Sequence, residues 1–391
     1  MKVKQKSAVI AAGLAMFSMF FGAGNVIFPL AVGRDAQSLN FYAISGLLIT
    51  AVGIPLLGLI SMTLFNGNYK HYFERIGKIP GFLLALFIMG LIGPFGAMPR
   101  LITVSHSTFS MYWPDISFFM FSLIACVIVF LMTFKKNRII DILGLYLTPL
   151  LLIALLTIIV KGLYGASALP ESTLPPAQVF WGGFLTGYET LDLLATFFFS
   201  SIVLQCFESE EIAEGHTKNF RNVIFLTLKA SVIGVGLLAL VYVGFSYVAA
   251  YNSELLVGLG REQLLGAIAL QILGPSAGVV AIVAVSLACL TTAIALAAVF
   301  AEFLHNDITQ GKLPYIPSLI ITLVACYFVS TLGFKGIAHF LEPILVVCYP
   351  ALIVLAIFNI GHKLTHVKMV KTPFALATLA SLGSYLYQIY G

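Results

Sequence analysis

The stretch Phe21-Gly22-Ala23-Gly24-Asn25 lies in the middle of the first apolar segment, where residues 7–33 carry no charge. An uncharged segment of this length can span a bilayer as a helix. Two glycines and an asparagine disfavour the helix at this depth, because asparagine competes for backbone hydrogen bonds and glycine is flexible. A break inside a bilayer is tolerated only where it is buried in protein or lines a cavity. We therefore expect a polar ligand to bind here.

The composition indicates an all-α polytopic membrane protein. The chain has 391 residues, of which 60% are hydrophobic and 9% charged, and its mean hydropathy is +1.02. A soluble domain of this size does not have such a composition. The net charge of +5 does not indicate nucleic-acid binding, because the basic residues are scattered over short loops. The partner that this composition requires is the lipid bilayer.

Charge-poor stretches predict eleven membrane spans. They lie at about 7–33, 40–65, 80–107, 116–134, 139–163, 179–207, 222–250, 276–304, 315–333, 336–360 and 371–389. Fifteen of the 21 Lys and Arg residues fall in loops on the N-terminal side, four fall in the opposite loops, and Arg100 and Lys229 fall inside spans. This asymmetry predicts a multi-pass protein of the plasma (inner) membrane with a cytoplasmic N-terminus.

A second break is predicted in the sixth span, at Thr186-Gly187-Tyr188-Glu189-Thr190-Leu191-Asp192. Carboxylates at the bilayer centre are costly and usually mark an ion or substrate path. Glu189 and Asp192 are three residues apart, so they would share one face if the stretch were helical. Two such carboxylates repel each other unless a cation or a proton lies beside them.

The position of the two breaks suggests an inverted repeat. Each half would contain five spans, and an odd number places the second half upside down in the membrane. Paired interrupted helices in two halves point to a transporter site at the repeat interface. We expect a single domain over residues 1–391, with repeats at about 7–163 and 179–360 and an extra C-terminal helix at about 371–389. The alternative is that Gly22 and Gly24 only permit close helix packing.

Four motifs resemble the bacterial branched-chain amino acid:cation symporters, the LIVCS or BrnQ family. They are Phe21-Gly-Ala-Gly-Asn-Val-Ile-Phe-Pro29, Gly93-Pro-Phe-Gly-Ala-Met-Pro-Arg-Leu-Ile-Thr-Val-Ser105, Gly187-Tyr-Glu-Thr-Leu-Asp192 and Ala288-Cys-Leu-Thr-Thr-Ala293. The resemblance implies a LeuT-like fold of five-plus-five inverted repeats, in which helices 1 and 6 are unwound. Two departures are an acidic residue at Glu189, where the family usually has an apolar one, and eleven predicted spans where twelve are common.

The resemblance also implies a two-walled substrate site and a sodium site. The substrate backbone would contact Gly22, Ala23, Gly24 and Asn25 on one wall and Tyr188, Glu189 and Thr190 on the other. A Na⁺ ion would be bound by the Thr291 and Thr292 side chains and by the carbonyls of Ala288, Ser18 and Phe21. Oxygen ligands suit a hard cation. Alternatively, the threonines only bond the backbone carbonyl one turn earlier.

Three further charged residues carry open alternatives. Asp192 would neutralise a bound cation, carry a coupling proton, or cap the second half-helix. Arg100 and Glu342 would face each other as an outer gate, or each would extend its charge to the membrane surface.

The predicted function is sodium-coupled import of a branched-chain amino acid (Leu, Ile or Val) by alternating access. No reaction is catalysed and no resident cofactor is expected, because Na⁺ is a coupling ion. A proton-coupled transporter using Glu189 or Asp192 is the first alternative. An intramembrane enzyme using them as an acid/base pair is the second, although no histidine or cysteine lies close to that break in the sequence. A channel is the third.

Overall fold

The computed structural model describes residues 2–135, 142–164, 166, 168–213, 220–274, 278–366 and 369–390. Within these residues the chain forms helices and no strand. The first residues of two predicted spans, 139–141 and 276–277, lie outside the described residues.

Within the described residues, the first half of the chain forms nine α-helices. Helices α1 to α9 span Lys2–Phe20, Ala23–Ala36, Asn40–Leu48, Ile54–Leu64, Tyr69–Phe73, Lys78–Ile92, Ala97–Ser110, Phe118–Thr133 and Thr148–Leu163. Short π-helical segments join α3 to α4 at Ile49–Gly53 and lead into α9 at Ile142–Leu147.

The part of the second half that the structure describes forms eight more. Helices α10 to α17 span Pro176–Thr186, Asp192–Ala213, Phe220–Tyr251, Leu264–Leu273, Gly278–Phe303, Tyr315–Ser330, Gly333–Thr365 and Lys371–Tyr390. A 3-10 turn at Gly187–Thr190 lies between α10 and α11, and a π-helical segment, Leu304–Ile308, extends α14.

All eleven predicted spans coincide with helical segments. The first, third and sixth spans each consist of two helices, which are α1 with α2, α6 with α7, and α10 with α11. By length and composition alone, six helices of the described chain can cross a membrane, or seven when the bent pair Pro176–Thr190 and Asp192–Gln205 counts as one span. Three shorter apolar helices accompany them. The prediction of an all-α polytopic protein is confirmed.

Contacts near the ends of several spans agree with spans that alternate in direction. At one end of the molecule, Arg34 Nη1 donates to the Leu259 carbonyl at 3.1 Å, and the Ser38 N–H donates to the Pro170 carbonyl at 2.9 Å. At the other end, the Tyr315 hydroxyl donates to the Thr133 carbonyl at 3.1 Å. We call the first end the Arg34 end and the second the N-terminal end. That the N-terminal end faces the cytoplasm stays a prediction.

The packing of the two broken spans follows a reciprocal pattern. The first span packs along the seventh through both of its halves, and the sixth span packs along the second in the same way. Each pair approaches closely at a glycine: a Cβ at Gly33 would lie 1.9 Å from the Ser246 carbonyl oxygen, and one at Gly183 would lie 2.0 Å from that of Ala43. Two repeats of five spans related by two-fold symmetry would pack in this way. The repeat boundaries stay a prediction.

Candidate functional site

The first break separates α1 from α2 at Phe21 and Gly22. Gly22 has an extended backbone (φ −109°, ψ −157°), so the helical hydrogen bonds stop there and restart at Ala23. The Asn25 Oδ1 atom accepts a hydrogen bond from the Gly22 N–H at 3.2 Å. The N–H groups of the first turn of α2 have no intrahelical acceptor, which makes this helix end attractive to an anion.

The second break bends the sixth span by 42° between Pro176–Thr190 and Asp192–Gln205. The 3-10 turn brings the Thr190 hydroxyl to the Gly187 carbonyl at 2.9 Å. Leu191 then adopts a left-handed conformation with φ +67°, and Asp192 begins α11. Both predicted breaks therefore exist at the predicted residues.

Asn25, Asp192 and Tyr242 form a buried hydrogen-bonded cluster that joins the two breaks. The Asn25 amide donates to Asp192 Oδ2 at 2.7 Å and also to the Tyr242 hydroxyl oxygen. The Tyr242 hydroxyl in turn donates to Asp192 Oδ2 at 3.1 Å. A buried carboxylate is costly unless donors satisfy it, and here both donors are neutral side chains.

A small cavity lies between the two breaks. Its volume is about 30 Å³, measured as the space open to the centre of a water-sized molecule, which is room for about two waters. Seventeen residues line it: Met19, Phe20, Gly22, Ala23, Gly24, Asn25, Ile92, Ala97, Arg100, Leu101, Thr190, Leu191, Asp192, Ala195, Phe199, Thr292 and Leu296. The cavity wall therefore combines apolar side chains with a guanidinium, a carboxylate and a helix N-terminus.

The cavity wall includes most, but not all, of the predicted substrate-binding residues. Gly22, Ala23, Gly24, Asn25 and Thr190 line it, as does Asp192. The alternative of close helix packing at Gly22 and Gly24 is supported as well, since a Cβ on either would lie 3.0–3.1 Å from side chains of other spans or 3.0 Å from the Phe28 ring.

Tyr188 and Glu189 lie outside the cavity wall. The Tyr188 ring stacks on the ring of Tyr349, with centroids 4.6 Å apart. The Glu189 side chain extends toward the Arg34 end, where Arg261 Nη1 contacts both carboxylate oxygens at 3.3 Å. The expectation that Glu189 and Asp192 share a face is wrong, because the left-handed Leu191 lies between them and turns the chain.

The predicted sodium ligands come from spans one and eight. The Thr292 hydroxyl donates to the Ser18 carbonyl at 3.2 Å, so these two predicted ligands are adjacent. The Thr291 hydroxyl donates to the Ala288 carbonyl at 3.1 Å, one turn earlier on α14. Phe21, the remaining predicted ligand, follows Ser18 by three residues at the first break and is fully buried. In the part of the chain that the structure describes, no cluster of three His, Cys, Asp or Glu residues offers another metal site.

Arg100 does not pair with Glu342 in this conformation. The guanidinium Nη2 donates to the Glu189 carbonyl at 2.9 Å, and its carbon atom lies 5.5 Å from the centre of the Phe28 ring. Glu342 is exposed. Arg100 does not extend its charge to the surface either, since only 2% of the residue is exposed. The predicted gate partner was wrong, because a break in the third span at Gly93–Gly96 turns the first helical turn of α7 toward the cavity.

Ion pairs and hydrogen bonds connect separate elements at both ends of the molecule. Toward the Arg34 end, the Glu189–Arg261 ion pair links the second break to the loop before α13. At the N-terminal end, Asp307 accepts a hydrogen bond from Tyr69 and forms an ion pair with Lys70. The Tyr69 ring also packs against Phe198 of α11, with centroids 5.2 Å apart.

Sequence reasoning missed several residues of the site. Tyr242 lies 217 residues from Asn25, and a single tyrosine in an apolar span carries no signal. The apolar wall residues Ile92, Phe199 and Leu296 look like any other span residue. The break in the third span did carry a signal, the pair of glycines around Pro94.

Comparison with known proteins identifies the relatives of this chain. The family model described as "Branched-chain amino acid transport protein" matches residues 5–389. The branched-chain amino acid permease BrnQ of Corynebacterium glutamicum is 30% identical over 362 residues, which cover 92% of this chain and 82% of the relative. BrnQ of Bacillus subtilis is also 30% identical, over 376 residues that cover 91% and 82% of the two chains.

Solved transporter structures share the fold. MhsT, crystallised with L-phenylalanine, superimposes with a TM-score of 0.63 at 13% identity over 96% of this chain and 98% of its own. Mhp1, a nucleobase-cation-symport-1 family transporter, gives a TM-score of 0.60 at 14% identity over 97% and 90% of the two chains. These likenesses confirm the LeuT-like fold. The family match over residues 5–389 and the 30% identity to BrnQ show that this chain belongs to the branched-chain amino acid transport protein family, a family of multi-pass membrane permeases.

Proposed function

We propose that the protein is a symporter that imports leucine, isoleucine or valine together with Na⁺ by alternating access. The family supports the substrate class. The cavity wall offers polar groups for an amino acid backbone and apolar side chains, including Ile92, Phe199 and Leu296, for a branched aliphatic side chain. We place it in the plasma membrane with the N-terminal end in the cytoplasm. A transport cycle needs no catalytic residue, and the relatives are named permeases.

The observation that carries sodium coupling is the contact between Thr292 and Ser18. It brings a hydroxyl of the eighth span against a backbone carbonyl of the first, one turn before the break. Thr291 and Ala288 add a second hydroxyl and carbonyl on the same helix. These oxygens suit a hard cation. An ion held between the two spans would fix the first break, and so link ion binding to the substrate cavity.

Contacts between elements at both ends of the molecule support alternating access. The cavity of about 30 Å³ is too small for an amino acid, so binding requires it to widen. Opening at the Arg34 end would separate Arg261 from Glu189, and opening at the N-terminal end would separate Asp307 from Tyr69 and Lys70. Each set of contacts joins one half of the sixth span to another element, which lets the two halves move separately.

The test is uptake of labelled leucine into proteoliposomes under an imposed Na⁺ or pH gradient. We expect uptake to follow the Na⁺ gradient and Thr291→Ala to raise the Na⁺ concentration needed for half-maximal uptake. Thr322→Ala is the matched control, because Thr322 is buried and bonds the backbone of its own helix at Ser318, far from the cavity wall. Uptake that ignores Na⁺ and follows the proton gradient would reject sodium coupling, as would unchanged Na⁺ dependence in Thr291→Ala.

Proton coupling through Asp192 is the second candidate. It is favoured by one observation: this buried carboxylate is bonded by Asn25 and Tyr242, which are neutral. Glu189 is less suited to carry the proton, because it is already paired with Arg261. If protons are the coupling ion, Asp192→Asn abolishes uptake driven by a pH gradient and retains exchange of internal for external leucine.

A further inference from the structure

Arg100 is a cation enclosed in the cavity wall, and among the described residues no carboxylate lies within ion-pair distance of it. Only 2% of the residue is exposed, and its one hydrogen bond to protein runs from Nη2 to the Glu189 carbonyl at 2.9 Å. The Nε–H has no acceptor. A buried, unpaired charge is strongly unfavourable, so its presence in a cavity points to an anionic ligand.

The guanidinium lies directly beside the N-terminus of α2. A Cβ at Gly24 would be 3.1 Å from Arg100 Nη2, so the side chain rests against the backbone of the first helical turn. The N–H groups of Ala23 and Gly24 occupy positions that have no intrahelical acceptor. The positive end of the helix dipole adds to the charge of the guanidinium. Two independent features, a cation and a helix N-terminus, thus favour an anion at the same place.

A negative charge lines the same cavity but forms no direct ion pair with Arg100. Asp192 is also 2% exposed, and the side chains that bond it, Asn25 and Tyr242, both donate to Oδ2. Arg100 and Asp192 form no ion pair with each other, although both line the cavity. A small cavity with one positive and one negative pole, kept apart, is complementary to a zwitterion.

We propose that Arg100 binds the carboxylate of the amino acid substrate, a role that rests on the proposed transport function. The carboxylate accepts hydrogen bonds from the guanidinium and from the N-terminus of α2, while the ammonium lies toward Asp192. Arginine suits this role because its planar fork matches a carboxylate. The bond to the Glu189 carbonyl holds the guanidinium in place and connects it to the second break.

The assignment predicts which ligands the protein rejects. An aliphatic amine that lacks the carboxylate leaves Arg100 buried and unpaired, so it should bind far more weakly than leucine. The discriminating quantity is the ratio between the affinities for leucine and for 3-methylbutylamine, which is leucine without its carboxylate. A residue that binds the carboxylate changes this ratio, whereas a residue that only supports the fold changes both affinities together.

The experiment measures displacement of labelled leucine from the purified full-length protein by unlabelled leucine and by 3-methylbutylamine. In Arg100→Gln we expect leucine affinity to fall at least tenfold and amine affinity to change less than threefold, so that the ratio collapses. Arg100→Lys keeps the charge and should retain part of the ratio, and it serves if Arg100→Gln does not fold. Arg261→Gln, which removes the other arginine that contacts Glu189, should leave the ratio unchanged.

The outcomes separate this proposal from the transport function. A ratio that stays at the wild-type value in both Arg100 variants would overturn the role of Arg100, while wild-type leucine binding would still support the transporter. A wild-type protein that binds no branched-chain amino acid would instead count against the proposed function and, with it, the carboxylate contact. A lower ratio in Arg261→Gln comparable to that of Arg100→Gln would also overturn the assignment, because the effect would then come from the second break.

Discussion

The two helix breaks are maintained in different ways. At the first, the residues are uncharged and include Gly22 and Gly24. Side chains of other spans fill the space that a larger residue would need there: Thr292 lies beside Gly22, and Arg100 beside Gly24. At the second, two carboxylates point in opposite directions, Glu189 to Arg261 and Asp192 to Asn25 and Tyr242. The first break should therefore be sensitive to size, and the second to charge and hydrogen bonding.

The largest effect is expected from Asp192→Ala, which removes the polar link between the breaks. It removes the acceptor of the Tyr242 hydroxyl and one of the two acceptors of the Asn25 amide, at a cost of about 1–3 kcal/mol for each bond lost. We expect leucine uptake to fall at least about a hundredfold. Asp192→Asn keeps one acceptor oxygen, so its melting temperature should fall less than that of Asp192→Ala. Near-normal uptake by Asp192→Ala would show that the two breaks are not linked by this cluster.

Gly24→Ala tests the sensitivity of the first break to size. The added Cβ would lie 3.0 Å from the Phe28 ring and 3.1 Å from Arg100 Nη2, so the guanidinium has to move. Overpacking of this kind costs about 1–3 kcal/mol, and we expect the KM for leucine to rise about tenfold. Gly182→Ala is the matched control on the first half of the sixth span, because nothing lies within 4 Å of its added Cβ. An equal change in both variants would contradict a size constraint specific to the break.

The same difference explains what the sequence could predict. Span positions follow from charge-poor stretches, because a bilayer excludes charge and requires about 20 residues per helix. The first break could be predicted because its glycines and asparagine are local signals. The second break could be placed at Gly187–Asp192, but its geometry could not be predicted. It depends on Leu191 in a left-handed conformation that leucine rarely adopts.

Side-chain direction was beyond the sequence. The assignment of Glu189 to the substrate wall assumed that it faces the cavity, whereas the turn at Leu191 directs it to Arg261. The assignment of Arg100 to an outer gate was based on its depth in the third span. It did not take account of the break at Gly93–Gly96. The role of Tyr242 in the site depends on its contact with Asn25, which is 217 residues away in the sequence, and no local sequence pattern predicts such a contact.

Substitutions of Leu191 test whether backbone conformation maintains the second break. Alanine and glycine both remove a buried side chain, but only glycine relieves the left-handed strain, which costs about 1–2 kcal/mol. We therefore expect the free energy of unfolding of Leu191→Gly to be about 1 kcal/mol higher than that of Leu191→Ala, measured by thermal or denaturant titration in detergent. Inside a regular helix the order is reversed, because glycine is worse than alanine by about 1 kcal/mol. The reversed order here would show that φ at Leu191 is not maintained in solution.

The smallest effect is expected from Glu189→Gln, and it decides between two positions for this side chain. If the carboxylate contacted the substrate, its loss would reduce uptake strongly. In the structure it contacts Arg261, which is 44% exposed, and exposed ion pairs contribute about 0–1 kcal/mol. We expect KM for leucine to change at most about fivefold, since the Glu189 carbonyl that accepts from Arg100 is unchanged.

The double variant Glu189→Gln/Arg261→Gln completes a thermodynamic cycle for this pair. If the ion pair accounts for the effect, the double variant resembles either single variant, and the difference from wild type shrinks when KCl raises the ionic strength. A Glu189→Gln effect that is large, insensitive to KCl and independent of Arg261 would return the carboxylate to the substrate wall. Both carboxylates of the second break, Glu189 and Asp192, would then face the cavity. The contrast with the uncharged first break would be greater than the structure indicates.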